Sequence, residues 1–139
     1  MPQHAVVVLN HGLIEPIGPL QSIAASSVRS ALDVNVVSFS ALLGGILQQL
    51  RDLAVAMPAL RLQATVVNIS SLAAYEPSFF PGWGVYSAGK AARVALMDAA
   101  AAEAEAMARQ TAEGSPACLS VPWTDFSPLP LNHRRAGIP

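Results

Sequence analysis

The sequence predicts an α/β fold, a parallel sheet of about three strands with flanking helices. Short apolar, β-branched runs recur along the chain, and longer helical patterns lie between them. The chain is 53% hydrophobic and only 12% charged, which is typical of a globular protein. Its 139 residues leave room for one domain.

The first predicted strand is Ala5–Asn10, which ends at His11-Gly12. A continuous apolar run of this kind is typical of a strand covered on both faces in a parallel sheet. After a loop with two prolines, a helical pattern extends from about Ser22 to Met57. We expect two helices there, meeting near residues 33–35, with Gly44-Gly45 packed closely against another helix.

The second predicted strand is Ala64–Ser70, followed by a loop over residues 72–84. A long alanine-rich helix is predicted from about Val85 to Thr111, where Gly114-Ser115-Pro116 breaks the pattern. A third short strand is predicted at Ala117–Val121.

This order of strands and helices predicts right-handed crossovers. In open parallel sheets, ligands bind at the carboxyl ends of the strands. Residues 10–12 and 70–71 both follow predicted strands, so we expect them to meet at that edge. We place one domain at residues 1–121 and an irregular tail at residues 122–139.

Composition argues against several classes of function. A net charge of −1 gives no basis for binding nucleic acid or an anionic membrane surface. The longest uncharged run, Val34–Leu50, contains polar residues and is predicted to be a buried helix, so we expect no membrane span. The single cysteine, Cys118, is interpreted as a reduced core thiol, which favours a cytoplasmic protein. We predict no metal site.

Tyr86 and Lys90 stand four residues apart near the start of the long helix, so their side chains lie on one face. A phenol exchanges protons poorly near neutral pH, and an adjacent ammonium group stabilises its phenolate form. Lys90 is the only lysine, although the chain has seven arginines. On the spacing alone, a solvated lysine beside a core tyrosine is the better explanation.

The surrounding residues favour chemistry instead. Residues 68–71, Asn-Ile-Ser-Ser, end a predicted strand, and Ser71 precedes Tyr86 by fifteen positions. With Tyr86-Ser87-Ala88-Gly89-Lys90, this pattern resembles the short-chain dehydrogenase/reductase family. The resemblance is specific over roughly thirty residues and looser from Val6 to Val121.

The resemblance implies a Rossmann-like, doubly wound parallel sheet, of which this chain would form the C-terminal portion. It also implies that Ser71 hydrogen-bonds the substrate carbonyl and that Tyr86 protonates the carbonyl oxygen. Lys90 would bind the nicotinamide ribose and assist Tyr86. Asn35 would anchor a water molecule in a proton relay, which completes a catalytic set of four.

The same resemblance implies a cofactor, NADP with NAD as the alternative, bound by Asn10, Gly12, Tyr86 and Lys90. The substrate would be a small carbonyl compound, a pterin being one candidate, bound by Ser71, Trp83 and Tyr86. The family also implies a homodimer formed through the two long helical segments.

The sequence departs from the family at its beginning. The glycine-rich turn that cradles the cofactor pyrophosphate, and the residue that distinguishes NAD from NADP, have no counterpart here. We therefore expect an N-terminally truncated domain, in which Ala5–Asn10 is left as an exposed apolar sheet edge prone to association. A small insertion at Ser78–Pro81 is expected to lengthen the Ser71–Tyr86 interval.

These residues are compatible with two functions. The first is an NADP-dependent carbonyl reductase that converts a ketone to a secondary alcohol. The second is a catalytically inactive, truncated remnant that acts as a dimerising module. A serine hydrolase of the Ser-x-x-Lys type, suggested by Ser87–Lys90, is rejected because it needs a second lysine in a Lys-Thr-Gly element.

Overall fold

A computed structural model describes residues 4–60 and 62–112. Its regular elements alternate as predicted, within a few residues of the expected bounds: β1 His4–Leu9, α1 Ala25–Leu32, α2 Ser38–Ala56, β2 Gln63–Asn68 and α3 Gly84–Ala112. The predicted strand 117–121, Cys118 and the tail 122–139 lie outside the described residues.

The two strands form a parallel pair, in agreement with the predicted α/β fold. Their register places Val7 opposite Val66 and Leu9 opposite Asn68. Beyond the last pair, the Ile69 amide donates to the Leu9 carbonyl at 3.0 Å. Both strands therefore end at the same edge, as expected for the residues that follow them.

Among the described residues, strand β1 is covered on one face only. Val7 and Leu9 point towards the core, whereas the side chains of Val6 and Val8 are 60% and 54% exposed. The prediction that β1 is covered on both faces is wrong for the described part of the chain, because its helices pack against a single face. The expected exposed apolar surface is present.

Helices α1 and α2 are continuous with each other through a π turn at Asp33–Val37. The Ser38 amide donates to the Asp33 carbonyl, five residues back, where an α-helix would bond four residues back. The predicted junction near residues 33–35 is therefore correct in position, but it is a widened helical turn and not a break between two helices.

The combined helix Ala25–Ala56 buries one stripe of side chains and exposes the rest. The buried stripe consists of residues at mostly four-residue intervals: Ala31, Asn35, Phe39, Leu43 and Leu50. The prediction of a buried helix holds for this stripe alone, because the described chain provides no second layer. By length and composition the helix could cross a membrane, which is weak evidence because core helices of soluble proteins pass the same test.

The core lies between the sheet and helices α2 and α3. Its centre consists of one cluster of buried apolar side chains: Leu9, Phe39, Leu43, Val66 and Met97. Gly44 and Gly45 lie away from it, and a Cβ built at either would meet nothing within 4 Å in the described residues. The predicted close helix packing at these glycines is therefore not made among the described residues.

Two loops meet at the beginning of α3. The Gly18 amide donates to the Gly82 carbonyl at 2.9 Å, and Gly82 has a φ of 86°, a conformation that favours glycine. Leu20 packs against Gly84, where an added Cβ would lie 3.2 Å from a Leu20 methyl group. These contacts join the segment after β1 to the beginning of α3.

Candidate active site

Lys90 is anchored at the carboxyl edge of the sheet. Its Nζ donates to the main-chain carbonyl of Ile69 at 2.7 Å and lies 5.7 Å from the centre of the Tyr86 ring. Both residues are on one face of α3, as their spacing predicted. The ammonium group is buried, and it is fixed by the backbone that follows β2.

Aromatic side chains form a wall beside Tyr86. Trp83 meets the Tyr86 ring edge-on, with centroids 5.8 Å apart, and stacks on Phe80 with centroids 5.1 Å apart. Both geometries are favourable for aromatic pairs. Trp83, predicted to bind substrate, therefore lies in direct contact with the predicted proton donor.

Ser71 precedes a short 3-10 turn, Leu72–Ala74, that packs against α3. The Ser71 Oγ accepts a hydrogen bond from the Ala73 amide at 3.2 Å. Since a hydroxyl can donate as well as accept, its proton is left for another oxygen. The neighbouring Ser70 hydroxyl is buried and has no partner among the described residues.

Asn35 lies in the π turn and is fully buried. Its Oδ1 accepts from the Leu13 amide at 2.8 Å, and its Nδ2 donates to the Leu13 carbonyl at 2.6 Å. The side chain therefore fastens the segment after β1 to the helix. Its predicted role in a water relay stays a prediction.

Gly12 lies where three polar side chains converge. A Cβ built there would be 3.3 Å from Asn35 Oδ1, 3.7 Å from Lys90 Nζ and 3.9 Å from Arg93 Nη1. The absence of a side chain leaves this space open next to Lys90. Asn10, also predicted to bind cofactor, is exposed at the end of β1.

The hydrogen bonds of His11 indicate which ring nitrogen carries the proton. Ser38 Oγ donates its proton to the Val34 carbonyl at 2.6 Å, so at 3.0 Å it accepts a hydrogen bond from His11 Nε2. Burial lowers the pKa of His11, and the positive charges of Arg93 and Lys90 lower it further. The favoured form is thus neutral, with the proton on Nε2.

Arg93 was not singled out by the sequence, yet it is the largest fully buried side chain in the part of the chain that the structure describes. Its Nε donates to the Asn35 carbonyl at 2.5 Å and its Nη1 to the His11 carbonyl at 2.6 Å. The guanidinium also lies over Phe39, 4.7 Å from the ring centre. The available signal was its spacing, since Tyr86, Lys90 and Arg93 share one helix face.

The site is positively charged in the described structure. Burial lowers the pKa of Lys90, and the charge of Arg93 lowers it further. Burial also lowers the pKa of Arg93, whereas negative charge on Tyr86 would raise it. No ion pair with a described carboxylate offsets either cation.

The carboxyl edge of this parallel sheet has a serine at the end of a strand and a helix with Tyr-x-x-x-Lys spacing. This combination indicates the class of domain to which the chain belongs. The family model described as short chain dehydrogenase matches residues 3–115. The chain belongs to this family, and its partial Rossmann-like fold agrees with that membership.

The sequence is also similar to individual proteins. The chain is 46% identical to mouse sepiapterin reductase over 70 residues, which cover 50% of this chain and 24% of the mouse protein. It is 37% identical to the sepiapterin reductase of Meriones unguiculatus over 103 residues, 73% of this chain and 36% of that protein. The chain thus spans well under half the length of these relatives.

A solved structure is similar as well. A short-chain dehydrogenase/reductase from Burkholderia vietnamiensis superposes with a TM-score of 0.54 at 26% identity, covering 89% of this chain and 48% of that one. A short-chain dehydrogenase from Streptomyces avermitilis, at 24% identity and a TM-score of 0.53, supports the fold alone.

Proposed function

We propose that this chain carries the proton-transfer half of an NADP-dependent carbonyl reductase of the sepiapterin-reductase type. The observation that supports it best is the arrangement of Tyr86, with Lys90 anchored on the Ile69 carbonyl and Trp83 against its ring. The likeness to sepiapterin reductases supports a ketone on a pterin side chain as the substrate, reduced to a secondary alcohol.

The residues at the sheet edge fit the ribose end of a nicotinamide cofactor. Gly12 leaves open the space next to Lys90 Nζ that a Cβ would fill, and Lys90 has two ammonium protons beyond the one given to Ile69. Gly12, Lys90 and the exposed Asn10 would hold the cofactor. When bound, a nicotinamide cofactor supplies the hydride.

The protein's own part in the reaction is to orient the carbonyl group and to protonate it. The Ser71 hydroxyl donates to the carbonyl oxygen while its own oxygen stays bonded to the Ala73 amide. Tyr86 then gives its phenolic proton to the same oxygen. The buried charge of Lys90 stabilises the phenolate that remains.

Replacement of Tyr86 by phenylalanine tests this role. We expect Y86F to reduce a diketone substrate with NADPH about 10²- to 10⁴-fold more slowly than the native chain, the usual contribution of a positioned general acid. The chain has only two tyrosines, so Y75F is a matched control that should keep its activity. Equal activity of Y86F and the native protein would refute the proposed role.

The exposed surface favours a second candidate, a dimerising module without activity. Val37 and Leu42 on the combined helix are 59% and 48% exposed, and the open backbone at Gly44-Gly45 adjoins them. A homodimer through this helix would cover these residues. The native chain would then form a concentration-dependent dimer in sedimentation and bind no NADPH in a fluorescence titration.

A further inference from the structure

Arg93 is buried, and no described carboxylate is its partner. The arginines of the combined helix, Arg29 and Arg51, are exposed, whereas Arg93 is fully buried. Within residues 4–60 and 62–112, no carboxylate forms an ion pair with it. Burial of an unpaired charge is strongly unfavourable unless other groups solvate it, so its contacts are informative.

The contacts of Arg93 join α3 to three other segments. From α3, Nε reaches the Asn35 carbonyl in the π turn and Nη1 reaches the His11 carbonyl after β1. The guanidinium plane lies over Phe39 of α2. A lysine could not make both hydrogen bonds from one fixed plane, whereas a guanidinium can.

Arg93 also lies close to Lys90 across Gly12. A Cβ at Gly12 would be 3.9 Å from Arg93 Nη1 and 3.7 Å from Lys90 Nζ, so both cations border the same small space. His11 and Tyr86 are the other titratable side chains at this point. The neutral His11 ring adds no charge there.

We propose that Arg93 is a positioning residue, which holds the His11–Leu13 segment against the π turn and brings a second fixed positive charge up to Lys90. The first action keeps the Gly12 space open beside Lys90. The second favours release of a proton by Lys90, because two positive charges then border the same small space. The catalytic meaning of both actions rests on the proposed reductase function.

Nuclear magnetic resonance of the native chain labelled with [13C]lysine tests the electrostatic part without any cofactor. Lys90 is the only lysine, so one side-chain signal reports its titration. In R93Q, which keeps amide donors but has no charge, we expect the Lys90 pKa to rise. R93M should give the same direction, and R51M, at an exposed site on α2, should leave the titration unchanged.

Hydrogen exchange tests the positional part. The Leu13 amide, bonded to Asn35 Oδ1, should exchange at least about tenfold faster in R93M than in the native chain, the effect of losing one buried hydrogen bond. If R93M fails to fold, R93Q supplies both measurements.

An unchanged Lys90 titration in a folded R93Q chain would overturn the electrostatic role, and unchanged Leu13 exchange would overturn the positional one. Both readouts are independent of turnover. Failure of the reductase proposal would instead appear as absent NADPH binding together with the expected changes at Lys90 and Leu13.

Discussion

At the scale of single residues, the site is held together by side chains that bond to main-chain groups. Lys90 bonds to Ile69, Asn35 to Leu13, and Arg93 to two carbonyls. Such bonds fix the path of the chain as well as the side chain. The reacting groups are therefore positioned by backbone segments that follow β1 and β2.

Asn35 provides the most direct test at this scale. We expect N35A to lower the free energy of unfolding by about 1–3 kcal/mol, because the part-buried hydrogen bonds to the Leu13 amide and carbonyl are both lost. Urea unfolding followed by circular dichroism measures the change.

The matched control is Q48A on the same combined helix. Gln48 is exposed, and within the described part of the chain its side chain bonds only to the Asp52 carboxylate four residues later. Its loss should therefore change stability by no more than about 0.5 kcal/mol. Equal effects of N35A and Q48A would contradict the structural role given to Asn35.

At the scale of secondary-structure elements, Gly89 in α3 and Gly44 in α2 have opposite environments. A Cβ at Gly89 would lie 3.0 Å from the Asn35 Cβ, which cannot move away because its amide is bonded to Leu13. Gly44 faces open space. The alanine-rich helix α3 thus needs glycine at position 89, whereas no described neighbour requires glycine at position 44 of α2.

Alanine substitutions should separate these two environments. We expect G44A to raise the free energy of unfolding by about 0.5–1 kcal/mol, the ordinary helix preference for alanine. G89A should lower it, and thermal unfolding measures both changes. A stabilised G89A would show that α3 can move away from the π turn.

The sequence predicted the positions of the helices and strands better than the contacts that they make. Periodicity identified β1, β2 and α3 because it records local backbone preference. It could not identify the π turn, whose extra residue has no pattern of its own, nor the open face at Gly44. The Tyr86–Lys90 pair was predictable from spacing, but the partners of Arg93 lie 58 and 82 positions away in sequence.

At the scale of the whole molecule, two buried cations lie together at one edge of the sheet. Lys90 and Arg93 each have a lowered pKa for which burial is the first cause. A nearly neutral chain thus contains a local excess of positive charge. This excess suits an anionic or electron-rich group better than a cation.

The His11 environment predicts a dependence of stability on pH. The folded pKa lies below the ordinary 6.5, so the unfolded chain binds more protons between these two values. The His11 contribution to the free energy of unfolding is therefore fully present above about pH 6.5 and is lost as pH falls through the folded pKa.

Urea unfolding at a series of pH values tests this contribution. H11Q should flatten the decline below about pH 6.5, and H4Q, at an exposed position on β1, should retain it. Parallel curves for H11Q and H4Q would show that His11 does not contribute.

The π turn has a geometrical consequence for the helix as a whole. In an α-helix each residue turns by about 100°, so side chains four residues apart drift by about 40° per step. Over Ala31, Asn35, Phe39 and Leu43, the stripe would rotate by about 120° and leave the core. The extra residue of the π turn takes up about 100° of this rotation. The combined helix of 32 residues can therefore keep these buried residues on one face towards the core.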